Sequence, residues 1–439
     1  MEAPIRPRSD DAEFAPGGRP AAHPFAVMYQ GEYETPWDGT AVAVRLHARA
    51  LASTGIPVFL KSFTGSVIDE HGGVGSVHLG GLPKEVRQEI GDLDGTTASA
   101  IYPVVKHLVV RDADHLRKVI LPQGAVAKGG VEAEMTMRQH LYDSTIVYSV
   151  WERDRVDPGI ARILSRVAEN WVPCHDNRDM LIRSGVPADK VVVMPHPYDP
   201  ADPILKLRAR APDLQWRKFY SIGRWEPRKA YAELVEAFLR AFTPKDLVML
   251  TIKYTGGNWP GYEHPDNLLR RLVADTSIQD RGWSPAAIAD RVHLREGRFP
   301  KPEILRIHYK HNIYVCSSHG EAWCLPAFEA ALAGNRIAYI NAGGVRDFSP
   351  TASSEITPLT QEPVPESYRW ESGAQWVTVN VAILTSLLQM TRAPDSHGYD
   401  RDMGRFELGE VGQLMRNRIL AVAAKHPAAH EYLRKISLP

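Results

Sequence analysis

Cysteine is scarce in this chain: only Cys174, Cys316 and Cys324 occur in 439 residues. So sparse and odd a set offers no disulfide framework and fits a reducing compartment, which leads to the expectation of a cytosolic protein. Net charge is missing as well. The 52 Lys and Arg residues balance 52 Asp and Glu, so no overall field draws the molecule to nucleic acid or to an anionic membrane, and any polyanion site must be local. Long apolar runs are absent too. No stretch reaches the roughly 18 apolar residues of a membrane span, and the opening MEAPIRPRSDDAEFAPGGRPAAHP lacks an apolar segment of signal-peptide length. Neither secretion nor a membrane span is expected.

What is present is the composition of a globular protein able to bury sizeable cores, 44% hydrophobic and 24% charged. At about 150 residues per domain the length suggests two domains or three, and two is the working number. Residues 1–23, rich in Pro, Gly, Ala and charge without a hydrophobic period, read as a mobile arm. From residue 24 to 197, apolar strands alternate with amphipathic helices. FAVMYQG, PVFLKSF, AIYPVVKHLVV, STIVYSVWE, NWVPCH and KVVVMPH read as strands, with helices expected over 41–54, at HLRKVI, near 157–169 and over 176–184.

PYDPADPILKLRARAP follows with four prolines and little periodicity, so 198–216 reads as a stiff linker. A second alternation fills 217–400. KFYSIG, DLVMLTIK, RVHLREG, NIYVCSS and NRIAYIN are its strands, and a helix after the first of them sets Leu234, Val235, Phe238, Leu239 and Phe242 on one face. Further helices are expected near 265–275, 301–309, 325–333 and 378–392. Residues 401–439 read as C-terminal helices able to fold back over the first domain. Strands alternating with helices point to α/β architecture: two doubly wound, mostly parallel sheets, covered on both faces.

Ligands of such sheets bind at the carboxyl ends of the strands. One strand-to-helix turn stands out there, SSHGEAWCLPAFEAALAGNR, where NIYVCSS ends and Pro326 and Gly334 mark the start and stop of the next helix. N–H groups around Trp323, Cys324 and Leu325 would offer a phosphate or sugar cradle at the positive end of that helix. Glu321 precedes the cradle and Glu329 lies about one turn inside the helix. The two carboxylates thus reach different parts of one elongated ligand. Asp38 and Gly39, in a loop before a helix of the first half, would approach from across the cleft, with Gly39 permitting close backbone contact. An ordinary N-cap is the competing reading of Asp38.

The Glu321 and Glu329 spacing resembles the Glu, seven residues, Glu motif of retaining GT-B glycosyltransferases of the large fourth family. YSIGRWEPRKAYAELVEAF is similar to that family's strand ending in Gly-Arg, with a Lys five residues later: Gly223, Arg224 and Lys229. The stretch from SVWERDRVD to MPHPYD is similar to the segment before the family's hinge. The resemblance implies a metal-independent enzyme whose donor is a nucleotide-diphosphate sugar, without a further cofactor. By the same resemblance, Arg224 and Lys229 bind the diphosphate, Glu329 the ribose and Glu321 the donor sugar, and Lys253 occupies a frequent basic position near the nucleotide. His107 and His115 are possible equivalents of an acceptor-side histidine.

Plainer readings stand beside these: a solvated helix-face Glu329, a Glu321 that favours the helix dipole, a strand-end surface Lys253 and structural histidines. The chain also departs from the family pattern at Ala230, Ala322 and Pro197, where glycine is usual. Cys316, His319 and Cys324 suggest zinc, but no fourth ligand is evident, and core cysteines with a loop histidine account for them better. Competing functions are a nucleotide-sugar epimerase of the same fold and a non-catalytic sugar or nucleic-acid binder. The acceptor, the base and sugar of the donor, and the oligomeric state are not legible.

Overall fold

The computed structural model describes residues 26–36, 38–63, 66–68, 74–76, 84–90, 93, 101–110, 112–121, 130–209, 215–350, 353–365, 367–368, 373–392 and 403–425. The arm expected over 1–23 lies outside them.

Two six-stranded sheets organise the chain. In the first, the spatial order is Val58–Lys61, Ala26–Gln30, Ile101–Leu108, Thr145–Ser149, Glu169–Val172 and Val191–Val193, with every neighbouring pair parallel. In the second it is Val292–Glu296, Val248–Thr255, Arg217–Arg224, Ile313–Cys316, Arg336–Ile340 and Ser354–Ile356, again all parallel. The inner strands are mostly apolar because both faces are covered; Thr145–Ser149 and Ile313–Cys316 are buried at every position. In each sheet the order turns back beside its first strand, so the adjacent loops diverge and open a crevice at the carboxyl edge.

Apolar cores lie on both faces of both sheets. Helix Tyr231–Ala241 packs Leu234, Val235, Phe238 and Leu239 against the second sheet together with Leu384, Leu387 and Leu388 of helix Val381–Met390. The last described helix, Leu408–Ala423, lays Val411, Met415, Ile419 and Val422 into the first core, beside helix Gly39–Ala52. The chain therefore passes between the halves twice, and the two passages are tied. The amide of Tyr198 donates to Phe406, and the amide of Leu408 to Tyr198.

Several boundaries differ from the sequence reading. Helix Gly39–Ala52 begins earlier than residue 41 because Asp38 caps it, accepting from the amides of Thr40 and Ala41. The helix expected near 157–169 stops at Leu164, and Glu169 already opens the next strand. Pro203–Ala209, read as part of a stiff linker, forms a 3-10 helix; Ile204 is buried in the core of the second half, with Leu205 and Leu207 packed against it. Two antiparallel hairpins, Ser66–Ile68 with Val74–Ser76 and Gln361–Pro363 with Gln375–Val377, had no signal in the sequence reading. Among the described residues no helix is long and apolar enough to cross a membrane.

Two buried histidines make stability depend on acidity. Burial pushes His47 and His311 from 6.5 down to about 4, against the raising effect of their backbone hydrogen bonds to Ala43 and Pro195, and to Ile307. Between these values the unfolded chain takes up protons that the folded chain refuses. Stability is thus full above about pH 6.5 and is lost as pH falls toward about 4, by up to about 3 kcal/mol per histidine. Urea denaturation of His311→Asn at several pH values should show a flatter fall across this window than the parent chain; parallel curves would remove His311 as a cause.

Candidate functional site

The turn between Ile313–Cys316 and helix Leu325–Leu332 is fixed by neighbours on both sides. The Ser317 hydroxyl donates to the Lys229 carbonyl at 2.6 Å, and the amide of His319 donates to the Arg228 carbonyl at 2.8 Å. The amide of Glu321 donates to the Ala342 carbonyl, and the amide of Gly344 to the Glu321 carbonyl. Cys324 then turns left-handed, at φ 66°, and starts the helix with no side-chain cap. Among the described residues no backbone carbonyl takes the amides of Trp323, Cys324 or Leu325. The head of this helix is thus left with free donors and the positive end of a dipole.

Glu321 stands beside this helix start and is only 5% exposed. Burial would raise its pKa, but Lys229, Arg228 and the Ser318 hydroxyl prevail and hold it at about 2. Lys229 makes a short ion pair with Glu321, and Arg228 Nη1 lies 3.2 Å from the same carboxylate oxygen. The Arg228 fork also reaches Glu226 at 2.8 Å and Glu152 at 3.0 Å, and donates to the Gly320 carbonyl at 2.9 Å. One guanidinium thus serves three carboxylates.

Glu152 brings the first half into the cluster. It follows Trp151, whose backbone is gripped at both ends by the Asn177 side chain: the Trp151 amide donates to Oδ1, and Nδ2 donates to the Trp151 carbonyl. Desolvation pushes Glu152 up to about 7 in spite of Arg228, and the charge of Glu321 adds to the rise. Gly320 is required at this contact, because a side chain there would begin 2.5 Å from the Glu152 carbonyl oxygen. Further ties cross the cleft. Gln375 donates its amide to Asp154, Asp347 faces His175 at 3.0 Å, and Arg346 meets Asp176 at 2.5 Å.

The four residues carrying the motif do not form one cluster. Lys229 and Glu321 touch. Arg224, at the end of the neighbouring strand, is 67% exposed and reaches across to Asp38 at 3.8 Å. Glu329 lies inside the helix and pairs with Lys301 at 3.0 Å, with His308 Nε2 3.6 Å away; these partners outweigh burial and set its carboxyl at about 2. Lys301 also meets Asp202 at 3.3 Å.

Other residues singled out from the sequence are placed as follows. Gly223 leaves room for the Tyr231 hydroxyl, which would lie 2.5 Å from a β-carbon. Gly39 heads its helix, and a β-carbon added there would lie 3.5 Å from Leu325 Cδ1, so the position has space for a side chain. The Trp323 ring is buried among Phe328, Phe348 and Phe406, so only its backbone is available to a ligand. Lys253 is buried, not a surface residue at a strand end; its ammonium sits 5.6 Å from the Phe299 ring, and burial lowers its pKa. His107 is walled into the first core, hydrogen-bonded to the Tyr29 hydroxyl at 2.9 Å, and burial drives its pKa well down. His115 lies in the first turn of helix Ala113–Ile120, its amide bonded to the Asp112 cap.

Arg228, Glu152 and Lys301 were missed as site residues. Arg228 stands within the basic stretch 206–229 and Glu152 within the equally charged WERDRVD, where charge alone does not show which side chains are buried. The available signal was the pairing of Arg228 with Glu226 two residues before it.

No protein-family model matches the chain, and no curated protein matches it in sequence. Solved structures do. The Anabaena protein Alr3699/HepE in complex with UDP superposes with a TM-score of 0.52 at 10% identity, covering 90% of this chain and 100% of HepE. Its complex with UDP and glucose gives 0.52 at 12% identity, over 91% of this chain and 100% of HepE. With two parallel six-stranded sheets covered by helices and this likeness over nearly the whole chain, the chain has the GT-B architecture.

Removing the shared guanidinium should expose the cost of this arrangement. Arg228→Met leaves three carboxylates facing a single remaining cation, and stability should fall by roughly 3–5 kcal/mol, measured by denaturant titration. Arg228→Lys should recover only part of it, since an ammonium cannot reproduce the fork. A loss below about 1 kcal/mol in the Met variant would show the network to be energetically idle.

Proposed function

We propose that the protein is a retaining glycosyltransferase that moves a sugar from a nucleotide-diphosphate sugar to a hydroxyl acceptor without a divalent metal. One observation carries the reading. At the carboxyl edge of the second sheet, unengaged helix-head amides adjoin the Lys229–Glu321 pair, while Arg224 projects into the cleft from the neighbouring strand. Fixed donors and cations of this kind stabilise a departing diphosphate. The same architecture in HepE holds UDP, alone or with glucose.

In this scheme Arg224, Lys229 and the amides of Trp323, Cys324 and Leu325 take the diphosphate, with Gly223 allowing the strand end to approach it. Glu329 accepts the ribose hydroxyls, its charge already balanced by Lys301. Glu321, ionised at neutral pH, accepts hydroxyls of the donor sugar. Asp38 and Gly39 close over the phosphates from the first half, and Lys253 lies toward the nucleotide. The acceptor enters from the face that the diphosphate leaves. As the bond from the anomeric carbon to phosphate breaks and the bond to the acceptor oxygen forms, a diphosphate oxygen takes the acceptor proton. The cations and helix head supply the charge that a metal would otherwise provide. The cytosol, where the three free cysteines stay reduced, is the setting we assign.

A thermal-shift screen of UDP, GDP, ADP and dTDP sugars tests donor binding. The cognate donor at roughly a hundred times its Kd should stabilise the fold by about 2.7 kcal/mol. Transfer from a labelled donor should survive EDTA, keep the anomeric configuration and fall at least about 100-fold in Arg224→Ala. Donor affinity and transfer unchanged in both Arg224→Ala and Glu329→Gln would overturn the assignment.

A further inference from the structure

The turn that carries Glu321 also brings together two thiols that the transfer reaction does not use. Cys316 closes the strand Ile313–Cys316 and Cys324 directly precedes the following helix, and their sulfurs lie 3.9 Å apart. Two sulfurs bound at about 2.3 Å to one tetrahedral ion stand about 3.8 Å apart, so the pair already has the span of a chelate. Cys316 Sγ, Cys324 Sγ and a Glu321 oxygen all lie within 4.8 Å of one another, and all three residues are buried. Lys229, Arg228 and Ser318 contact Glu321 through Oε1, so a bound ion would compete with them for this carboxylate. Mere core packing explains thiols beside apolar groups, but not thiols beside an ionised carboxylate.

We propose that Cys316, Cys324 and Glu321 form a binding site for a thiophilic divalent cation of the zinc class, seated at the head of helix Leu325–Leu332. On binding, each thiol gives its proton to solvent as its sulfur–metal bond forms. The Glu321 carboxylate supplies the third ligand, and the fourth position stays open to water or to a ligand oxygen. Two sulfurs favour zinc or cadmium over magnesium or calcium, which take oxygen ligands. The ion draws Glu321 away from Lys229 and occupies the helix head, so it opposes occupation of the same place by a diphosphate. That last consequence rests on the donor reading of the site; the binding of the ion does not.

Cadmium is the probe, added to the full chain kept reduced with a phosphine. The expected result is an ultraviolet thiolate-to-cadmium band that saturates at one ion per chain, with a cadmium-113 chemical shift of a two-sulfur donor set. Cys316→Ser and Cys324→Ser should each lose the band, and Cys174→Ser should keep it. No band, a shift without sulfur ligands, or a band that depends on Cys174 would overturn the site. The nuclear shift is read on the unmutated chain, so the test holds even if a serine variant does not fold. A UDP titration with and without cadmium is then read separately. Competition supports the shared location, whereas UDP binding unaffected by a saturated cadmium site overturns the antagonism. Failure of UDP, GDP, ADP and dTDP alike to bind in either state counts against the donor reading alone.

Discussion

A carboxylate almost wholly removed from water stays ionised only where cations reach it, and the cleft of this protein is arranged around that requirement at Glu321. Desolvation pushes its proton affinity up, while Lys229, Arg228 and the Ser318 hydroxyl bring it down to about 2. The backbone serves the same end. The Ser317 and His319 bonds hold the turn to the Arg228–Lys229 segment, and the bonds to Ala342 and Gly344 hold it to the next strand-end loop. A looser turn would admit water and weaken every interaction in the cluster.

Arg228 extends this constraint to the other half of the molecule. Its guanidinium joins Glu321 and Glu226 of the second half to Glu152 of the first, and Gly320 lets the two backbones meet closely enough for the fork to span them. Placement of Glu152 in turn depends on Asn177, at the head of helix His175–Arg183. The electrostatics of the candidate site and the closeness of the two halves are therefore one problem. Near neutral pH the raised affinity of Glu152 for a proton offsets part of the excess of carboxylates over cations.

The α/β alternation was legible because buried parallel strands are short, mostly apolar runs while their covering helices repeat every three to four residues. The motif spacing led to Lys229 and Glu321, which touch, and to Arg224 and Glu329, which face separate partners, Asp38 and Lys301. Local patterns failed where distant residues decide. Helix Gly39–Ala52 took its start from an Asp38 cap, a choice of two residues that periodicity does not resolve. The hairpins 66–76 and 361–377 are too short to carry a period.

Linear order alone settled the main alternation of strand and helix, the strand-to-helix turn at Glu321 and that an acid, a cation pair and a helix head share one edge of a sheet. These follow from local backbone preference and the period of apolar side chains. Tertiary structure decided which charges are buried and with whom: that Arg228 lies inside instead of on a basic surface, that Glu152 is its partner across the cleft, and that Cys316 and Cys324 converge. Charged residues carry no period that reveals their burial, and their energies depend on the distance and dielectric between chain segments far apart in sequence.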